Sequence, residues 1–419
     1  FLSLLIKISS RLPFKVNRVF LLCPVFLPLQ YDMEEQGIDR PVFIGNIDSR
    51  HQVKGWIMAD VALLKCNSYA IATVKEKILY GFDLIGFDPA CFARARVALK
   101  PNLLSAVSAD SAVVTHPVFF EAVAETVIDY GGRPVLIESP AVATIRNAVH
   151  KSGYGDIVAR LGIPVADTKD VRKISCPDSK VFKHFEVFSA LFDVDMVVNI
   201  PKFKTHNLTY ITAAVKNLLG VIPGLRKSQM HMRFPDRQTF SEFLLDLYGA
   251  LLTGFERPMK MVHILDAVVS MEGEGPGASG TPRKTGAMII GDDALAVDYV
   301  ASKVAGLDVR KAPTIQAGFS RTFGITSADE IEVRGDKIQD MEIQGFLPPK
   351  SSGMTSLLQR PVIGRLAKNL FVEKPMPRED ACILCYQCMH ICPADAIDKA
   401  SAGAKIPRYD YRRCIRCFC

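Results

Sequence analysis

Seven of the eleven cysteines stand between Cys382 and Cys419, and their spacing is the strongest chemical signal in the chain. Cys382, Cys385, Cys388 and Cys392 read C-x2-C-x2-C-x3-C, with Pro393 next. This is the ligand run of a ferredoxin-type [4Fe–4S] site, in which three thiolates hold one cluster and the fourth cysteine crosses to the other. Cys414 and Cys417 open a second run of the same kind, and Cys419 falls one place before its expected third ligand. Two [4Fe–4S] clusters are therefore expected in the full-length protein, with the second run truncated here. Zinc also takes cysteine ligands, but this spacing followed by proline points to iron.

A second group of residues is suited to binding an anion. Asn199-Ile200-Pro201-Lys202-Phe203-Lys204-Thr205-His206 places two lysines, a threonine and a histidine within five positions, and Lys216 and Asn217 follow. Such donors near a helix start suit a carboxylate or phosphate. Lys202, Lys204 and His206 are the candidates for catalysis. Lys100, Asn102 and His116 join Lys216 and Asn217 as candidates for substrate binding. Each taken singly is an ordinary solvated lysine or structural histidine; their grouping at strand ends gives them weight.

The elements that must position these groups alternate. Strand-like runs at 60–66, 96–100, 133–138, 163–166, 195–200, 260–269 and 286–291 are separated by helical patterns at 70–80, 118–132, 209–220, 239–254 and 294–305, with helix-like text before Leu161. This order predicts an α/β domain with a mostly parallel sheet flanked by helices, followed by a small ferredoxin-like α+β domain. Ligands of such sheets lie beyond the carboxyl ends of the strands, which directs attention to the loops after residues 100, 200 and 270. Gly275 to Gly280 matches G-x-G-x-x-G but runs toward a strand, so it reads as a loop over the site and not as a dinucleotide fingerprint. P-loop, nucleophile-elbow and H-E-x-x-H patterns are absent from the sequence.

The 419 residues divide into an N-terminal extension outside the working domain (1–57), an α/β domain (58–345), a Pro/Gly/Ser-rich linker (346–379) and the cysteine tail (380–419). The run VFLLCPVFLPL near the start holds two prolines and is too short to span a bilayer. Met58 has the character of a true start. The net charge of +7 is not concentrated in any Lys/Arg run, so neither nucleic acid nor membrane is expected as a partner. Thiolate ligands suit the reducing cytoplasm.

From Met58 onward the chain resembles the domain-of-unknown-function family 362, iron–sulfur-centre proteins that join an α/β domain to a C-terminal ferredoxin-type pair. LKPNLL (99–104), THP (115–117), ESP (138–140), NIPKFKTH with AVKNLLG (199–220), EGEGPGASG (272–280), LAVD (295–298) and the cysteine tail carry the resemblance. It implies architecture and clusters but names no substrate. The expected function is electron transfer through [4Fe–4S] clusters to or from an anionic substrate at the strand-end loops, with a redox partner protein. The alternative is a non-enzymatic electron-transfer or assembly protein whose α/β domain docks a partner.

Overall fold

The computed structural model describes residues 58–140, 144–234, 236–277, 279–349 and, in the cysteine tail, 376–390, 392, 396–401 and 403–414. The N-terminal extension, most of the expected linker and Cys417 lie outside the described residues.

The strands of the large domain are β1 (Ala59–Lys65), β2 (Arg96–Pro101), β3 (Arg133–Leu136), β4 (Val171–Ser175), β5 (His184–Phe188), β6 (Met196–Ile200), β7 (Lys202–His206), β8 (Tyr210–Thr212), β9 (Lys260–Gly273), β10 (Gly280–Gly291) and β11 (Ile331–Gly335). Nine of them form one sheet in the order β11-β1-β10-β9-β6-β2-β3, with β7 joined to β9 and β8 to β7. The pairings β11–β1, β9–β6, β6–β2, β2–β3 and β7–β9 are parallel; β1–β10, β10–β9 and β7–β8 are antiparallel. The sheet is thus mostly parallel, as the order of elements predicts. β4 and β5 pair separately.

The helices of this domain are α1 (Ile71–Leu84), α2 (Pro117–Asp129), α3 (Ile145–Lys151), α4 (Gly155–Arg160), α5 (Ala214–Asn217), α6 (Gly224–Arg233), α7 (Arg237–Thr253), α8 (Ala294–Val304), α9 (Pro313–Gly318) and α10 (Ile338–Met341). They cover both faces of the sheet, which explains why its inner strands are apolar without alternation. Val61 and Leu63 of β1 pack with α7, α8 and α9, whereas Ala62 and Leu64 face the core shared with α1 and α2. The same division runs through β2, β6 and β10. Among the described residues, no helix is long and apolar enough to cross a membrane.

Three local expectations are corrected. The stretch 199–206, read as a loop, contains strand β7, which adds to the sheet beside β9. The helix predicted over 209–220 is instead a short strand, β8, followed by α5 and a 3-10 turn at Leu218–Val221. Ile211 and Thr212 are β-branched and pair with Thr205 and Lys204, so cross-strand pairing overrides their weak helical spacing. The strand expected at 163–166 is reduced to a single bridge from Val165 to Leu136. The Gly275–Gly280 stretch joins β9 to β10 and opens no helix. At the far end of the domain, Leu347 is tied back to β9: its N–H donates to Glu272 Oε2 at 3.0 Å, and its carbonyl accepts from Gly273 at 2.9 Å.

Helix α5 is only one turn long and is held in place from below. The buried Asp298 of α8 accepts from the Ala214 N–H at 2.5 Å and the Val215 N–H at 3.4 Å. Burial pushes this carboxyl up to about 8 from its ordinary 3.8, although the two amides pull the other way. The native state therefore keeps a proton that the unfolded chain loses, and stability falls as pH rises through that window. Asp298→Asn, which keeps an acceptor for Ala214, should gain on the wild type as pH rises from 5 to 9. Asp298→Ala should lie roughly 1–3 kcal/mol below Asp298→Asn at both pH values, because it strands buried amides. Urea unfolding at the two pH values checks both expectations.

Candidate functional site

The carboxyl ends of the parallel strands converge on a cavity of about 310 Å³. Strand β2 delivers Lys100 and, one residue beyond its end, Asn102. Just past β3 stands Glu138, and β7 delivers Lys204 and His206. Helix α5 contributes Lys216 and Asn217, and α6 contributes Lys227 and His231. Leu104, Thr212, Leu219, Gly220 and Pro276 complete the wall.

Strand alternation explains the part played by β7. Lys202, Lys204 and His206 point to one side, while Phe203 lies in the core. The register between β7 and β9 shifts between Lys202 and Lys204, so successive side chains of the row meet different surroundings. The buried ammonium of Lys202 donates to Asp266 Oδ2 at 2.8 Å and to the Tyr69 hydroxyl at 2.9 Å. Lys204 is fully buried and donates to Asn102 Oδ1 at 2.8 Å and to the Val113 carbonyl at 2.7 Å. His206 ends the row, and its Nδ1 accepts from the N–H groups of Leu208 (3.0 Å) and Thr209 (3.2 Å). A neutral His206 must then carry its hydrogen on Nε2. Tyr210, just after this turn, is held at φ 70°, a strained setting for a residue with a Cβ.

Glu138 is the one carboxylate of the cavity wall among the described residues. It binds both Lys100 and Lys227, and also accepts from the Ser139 N–H at 2.8 Å. Lys100 donates in addition to the Pro101 carbonyl at 2.8 Å, and Lys227 to the Ser139 carbonyl. Gly220 fits against this pair because it has no side chain: a Cβ there would overlap both the Glu138 carboxylate and Lys100. Lys216 is half-buried with its Nζ 5.6 Å from the centroid of the Phe240 ring, and it makes no ion pair among the described residues.

A line of amides ties these elements together. Asn102 Nδ2 donates to Asn217 Oδ1 at 3.0 Å. Asn217 Nδ2 donates to the Lys100 carbonyl at 3.0 Å and to Asn199 Oδ1 at 2.8 Å. Asn199 Nδ2 reaches the Ala214 carbonyl at 3.0 Å and His263 Nδ1 at 2.9 Å. β2, β6 and α5 are thus locked by side chains whose polar atoms satisfy one another, as burial requires.

Crowding of buried cations sets the electrostatics. Burial, offset in part by Glu138, lowers Lys100 to about 8. Lys204 lies well below its ordinary value, first through burial and then through repulsion from Lys216 and Lys202. Lys216 falls to about 7 by burial and then by its neighbour Lys227. Burial and Lys216 hold His206 well below the usual imidazole range and bring His231 to about 4. His231 Nδ1 lies 2.8 Å from the Lys227 carbonyl, which can only accept, so the hydrogen sits on Nδ1 and Nε2 keeps its lone pair. The cavity therefore offers positive charge, an imidazole donor and an imidazole acceptor, and a ligand that brings negative charge relieves the repulsion.

The candidates separate into two groups. Asn102, Lys204, His206, Lys216 and Asn217 line the cavity, and Lys100 backs it through Glu138. Lys202 and His116 belong to a neighbouring cluster outside its lining. His116 stacks on Tyr69 with ring centroids 3.6 Å apart, its N–H donates to Asp266 Oδ2 at 3.0 Å, and its Nδ1 accepts from Val118 at the start of α2. Sequence reasoning missed Glu138, Lys227 and His231. Glu138 closes a predicted strand, and Lys227 and His231 stand four apart on one helix, yet neither signal is specific without the fold. A larger depression of about 1170 Å³ lies beyond Pro140 and Pro223, but its charged groups, Arg146, His150, Asp167 and Lys169, are exposed at its rim.

The cysteine tail folds locally. Ile397–Asp398 pairs antiparallel with Arg408–Tyr409, and a turn of helix spans Gln387–His390. Among the described residues, Cys382, Cys385, Cys388 and Cys392 form no disulfide, and Cys414 is buried. Leu384 and Tyr386, on either side of Cys385, take left-handed conformations (φ 56° and 59°) and wind the backbone tightly there. Cys392 Sγ accepts from the Ala396 N–H at 3.3 Å, and the Tyr409 hydroxyl bonds to Cys388. Soft sulfur donors on a tightly wound backbone, with polar hydrogens supplied to sulfur, fit a four-iron cluster. Among the described residues no three ligands converge on a single point. A cubane does not require that, since each cysteine binds a different iron. Cys417 lies outside the described residues.

Comparison with known proteins agrees with both parts. The family model described as "Domain of unknown function (DUF362)" matches residues 97–303, and that of the 4Fe-4S binding domain matches 376–398. The chain is 34% identical over 264 residues to the thylakoid-associated protein sll1697 of Synechocystis sp., a match that covers 62% of this chain and 79% of that protein. Among solved structures, the lactate racemase apoprotein from Thermoanaerobacterium thermosaccharolyticum aligns with a TM-score of 0.37 at 12% identity, over 58% of this chain and 56% of that one. On the family match and the extended identity to a curated relative, the chain belongs to the DUF362 family and carries a ferredoxin-type 4Fe-4S domain.

Proposed function

We propose that this protein is an iron–sulfur oxidoreductase whose α/β domain binds a small anionic substrate in the cavity between Lys204 and Lys227. The observation that supports it is the charge balance of the site: Lys100, Lys204, Lys216 and Lys227 crowd around the single carboxylate of Glu138. Burying uncompensated amines is costly, and a bound carboxylate or phosphate offsets that cost. His206 presents Nε2–H toward such a ligand, and His231 presents a lone pair, so one can hold an oxygen and the other can take a proton. Lys204 is too deeply buried to meet a protein surface, which favours a small ligand over docking of a partner at these lysines.

A [4Fe–4S] cluster supplies one-electron transfer when bound. In this reading Cys382, Cys385, Cys388 and Cys392 belong to the first run, and Cys414 and Cys417 to a second, for two clusters. A redox partner protein exchanges electrons with them in a reducing compartment such as the cytoplasm.

Inorganic phosphate at about 100 times its dissociation constant should stabilise the protein by roughly 2.7 kcal/mol, read as a rise in melting temperature. Lys204→Met should abolish that rise. Lys202→Met should keep it while losing roughly 3–5 kcal/mol of stability, because Asp266 is left buried without its cation. Adding Asp266→Asn to Lys202→Met should recover much of the loss. A phosphate effect that disappears with Lys202→Met/Asp266→Asn but survives Lys204→Met would refute the assignment of the site.

The cluster assignment has its own check. Cys385→Ser in anaerobically reconstituted protein should lower bound iron and diminish the electron paramagnetic resonance signal of the reduced cluster. The urea midpoint of the α/β domain should not move. Unchanged iron content would remove the first cysteine run from the ligand set.

A further inference from the structure

The four lysines of the cavity are not equivalent. Lys100 donates to Glu138 and the Pro101 carbonyl, Lys204 to Asn102 and the Val113 carbonyl, and Lys227 to Glu138 and the Ser139 carbonyl. Each of these amines points its hydrogens at oxygen. Lys216 does not: its contact is the face of Phe240, and it stands near the cations Lys227 and Lys100 and the Glu138 carboxylate without an ion pair to any of them among the described residues. An ammonium needs acceptors for three hydrogens, and beyond the weak acceptor of the ring face Lys216 meets none among the described residues, so its charged form is poorly satisfied. Lys216 lines the cavity and is half-buried, so its nitrogen is open to a ligand of that space.

We propose that Lys216 is a nucleophilic amine that condenses with the carbonyl group of a small anionic aldehyde or 2-oxo acid held in this cavity, forming an imine. The inference rests on the reading of the cavity as an anion site and names the class of ligand it takes. The lone pair of Lys216 Nζ attacks the carbonyl carbon to give a carbinolamine. The carbon–oxygen bond then breaks, the two amine hydrogens leave with that oxygen as water, and a carbon–nitrogen double bond remains. No electrons enter or leave, and added water reverses the step. Lys204 and Lys227 lie where they can balance the carboxylate of such a ligand. His206 Nε2–H is a donor for the carbonyl oxygen as negative charge gathers there, and His231 Nε2 is an acceptor for the proton shed by the nitrogen. The lowering of Lys216 to about 7 agrees with this role, since a desolvated lysine among cations is a nucleophile at neutral pH.

The experiment is reductive trapping on the full-length protein with glyoxylate and cyanoborohydride, followed by peptide mapping. One secondary amine should form at Lys216 and saturate with glyoxylate. Inorganic phosphate should protect it. Its rate should rise through about pH 7, where the amine loses its proton, and not above pH 10 as for a solvated lysine. Lys216→Arg should lose the label. Label spread over exposed lysines, or absent from Lys216 while phosphate still stabilises the wild type, would overturn the imine and leave the anion site standing. If phosphate neither stabilises nor protects, the anion site fails and the inference fails with it.

Discussion

Four amines gathered around one buried carboxylate set the terms for everything near the carboxyl edge of this sheet. A buried charge is tolerated only where it is paired or shifts its protonation, and here both occur. Glu138 serves Lys100 and Lys227 together, so neither amine has a partner to itself. Lys204 is left with neutral oxygens and Lys216 with an aromatic ring. The arrangement does not favour stability: well-packed apolar residues in these places would cost less. Retaining it makes physical sense on the proposed reading, in which a bound anion supplies the missing negative charge.

Holding so many donors in one place requires a rigid frame with every amide accounted for. Asn217 is its centre, because it bonds at once to Asn102, to Asn199 and to the Lys100 carbonyl. That joins strands β2 and β6 to helix α5. A one-turn helix has no independent stability, and α5 depends on Asp298 beneath it and Asn217 above. Gly220 has a different part. It lets the chain pass against the Lys100–Glu138 pair where a side chain would push the two apart. Lys216 thus owes its position to groups it never touches.

Much of this was legible in the sequence, and the remainder was hidden for identifiable reasons. The cysteine run needs no tertiary structure to be read, since its ligands are consecutive in the chain. The strands were visible as apolar runs, and the rule that ligands sit at strand ends located Lys100, Asn102, Lys204 and His206. It could not separate Lys204 from Lys202. They lie on the same side of one strand, and they differ only because Asp266, sixty-four positions away, meets Lys202. Nor could it find Lys227 and His231, whose helix reaches the cavity only after the intervening turn has folded. The stretch 209–220 misled for a local reason: its apolar residues suit a helix or a strand, and pairing with β7 decided for a strand at Tyr210–Thr212.

The separation of Lys202 from Lys204 bears on how the site works. Asp266 accepts from the Tyr69 hydroxyl, the Lys202 ammonium and the His116 and Val268 N–H groups, which leaves it little capacity for a ligand. That cluster fastens the start of α2 and the root of β7 to β9, so it fixes the far end of the row that carries Lys204 and His206. With the root pinned and the outer end held by the turn that bonds to His206 Nδ1, Lys204 has little freedom to follow a ligand. On the proposed reading an anion must come to fixed donors, which limits its size and shape. Preorganised charge of this kind acts most strongly on an anion small enough to lie within the lysine-lined space.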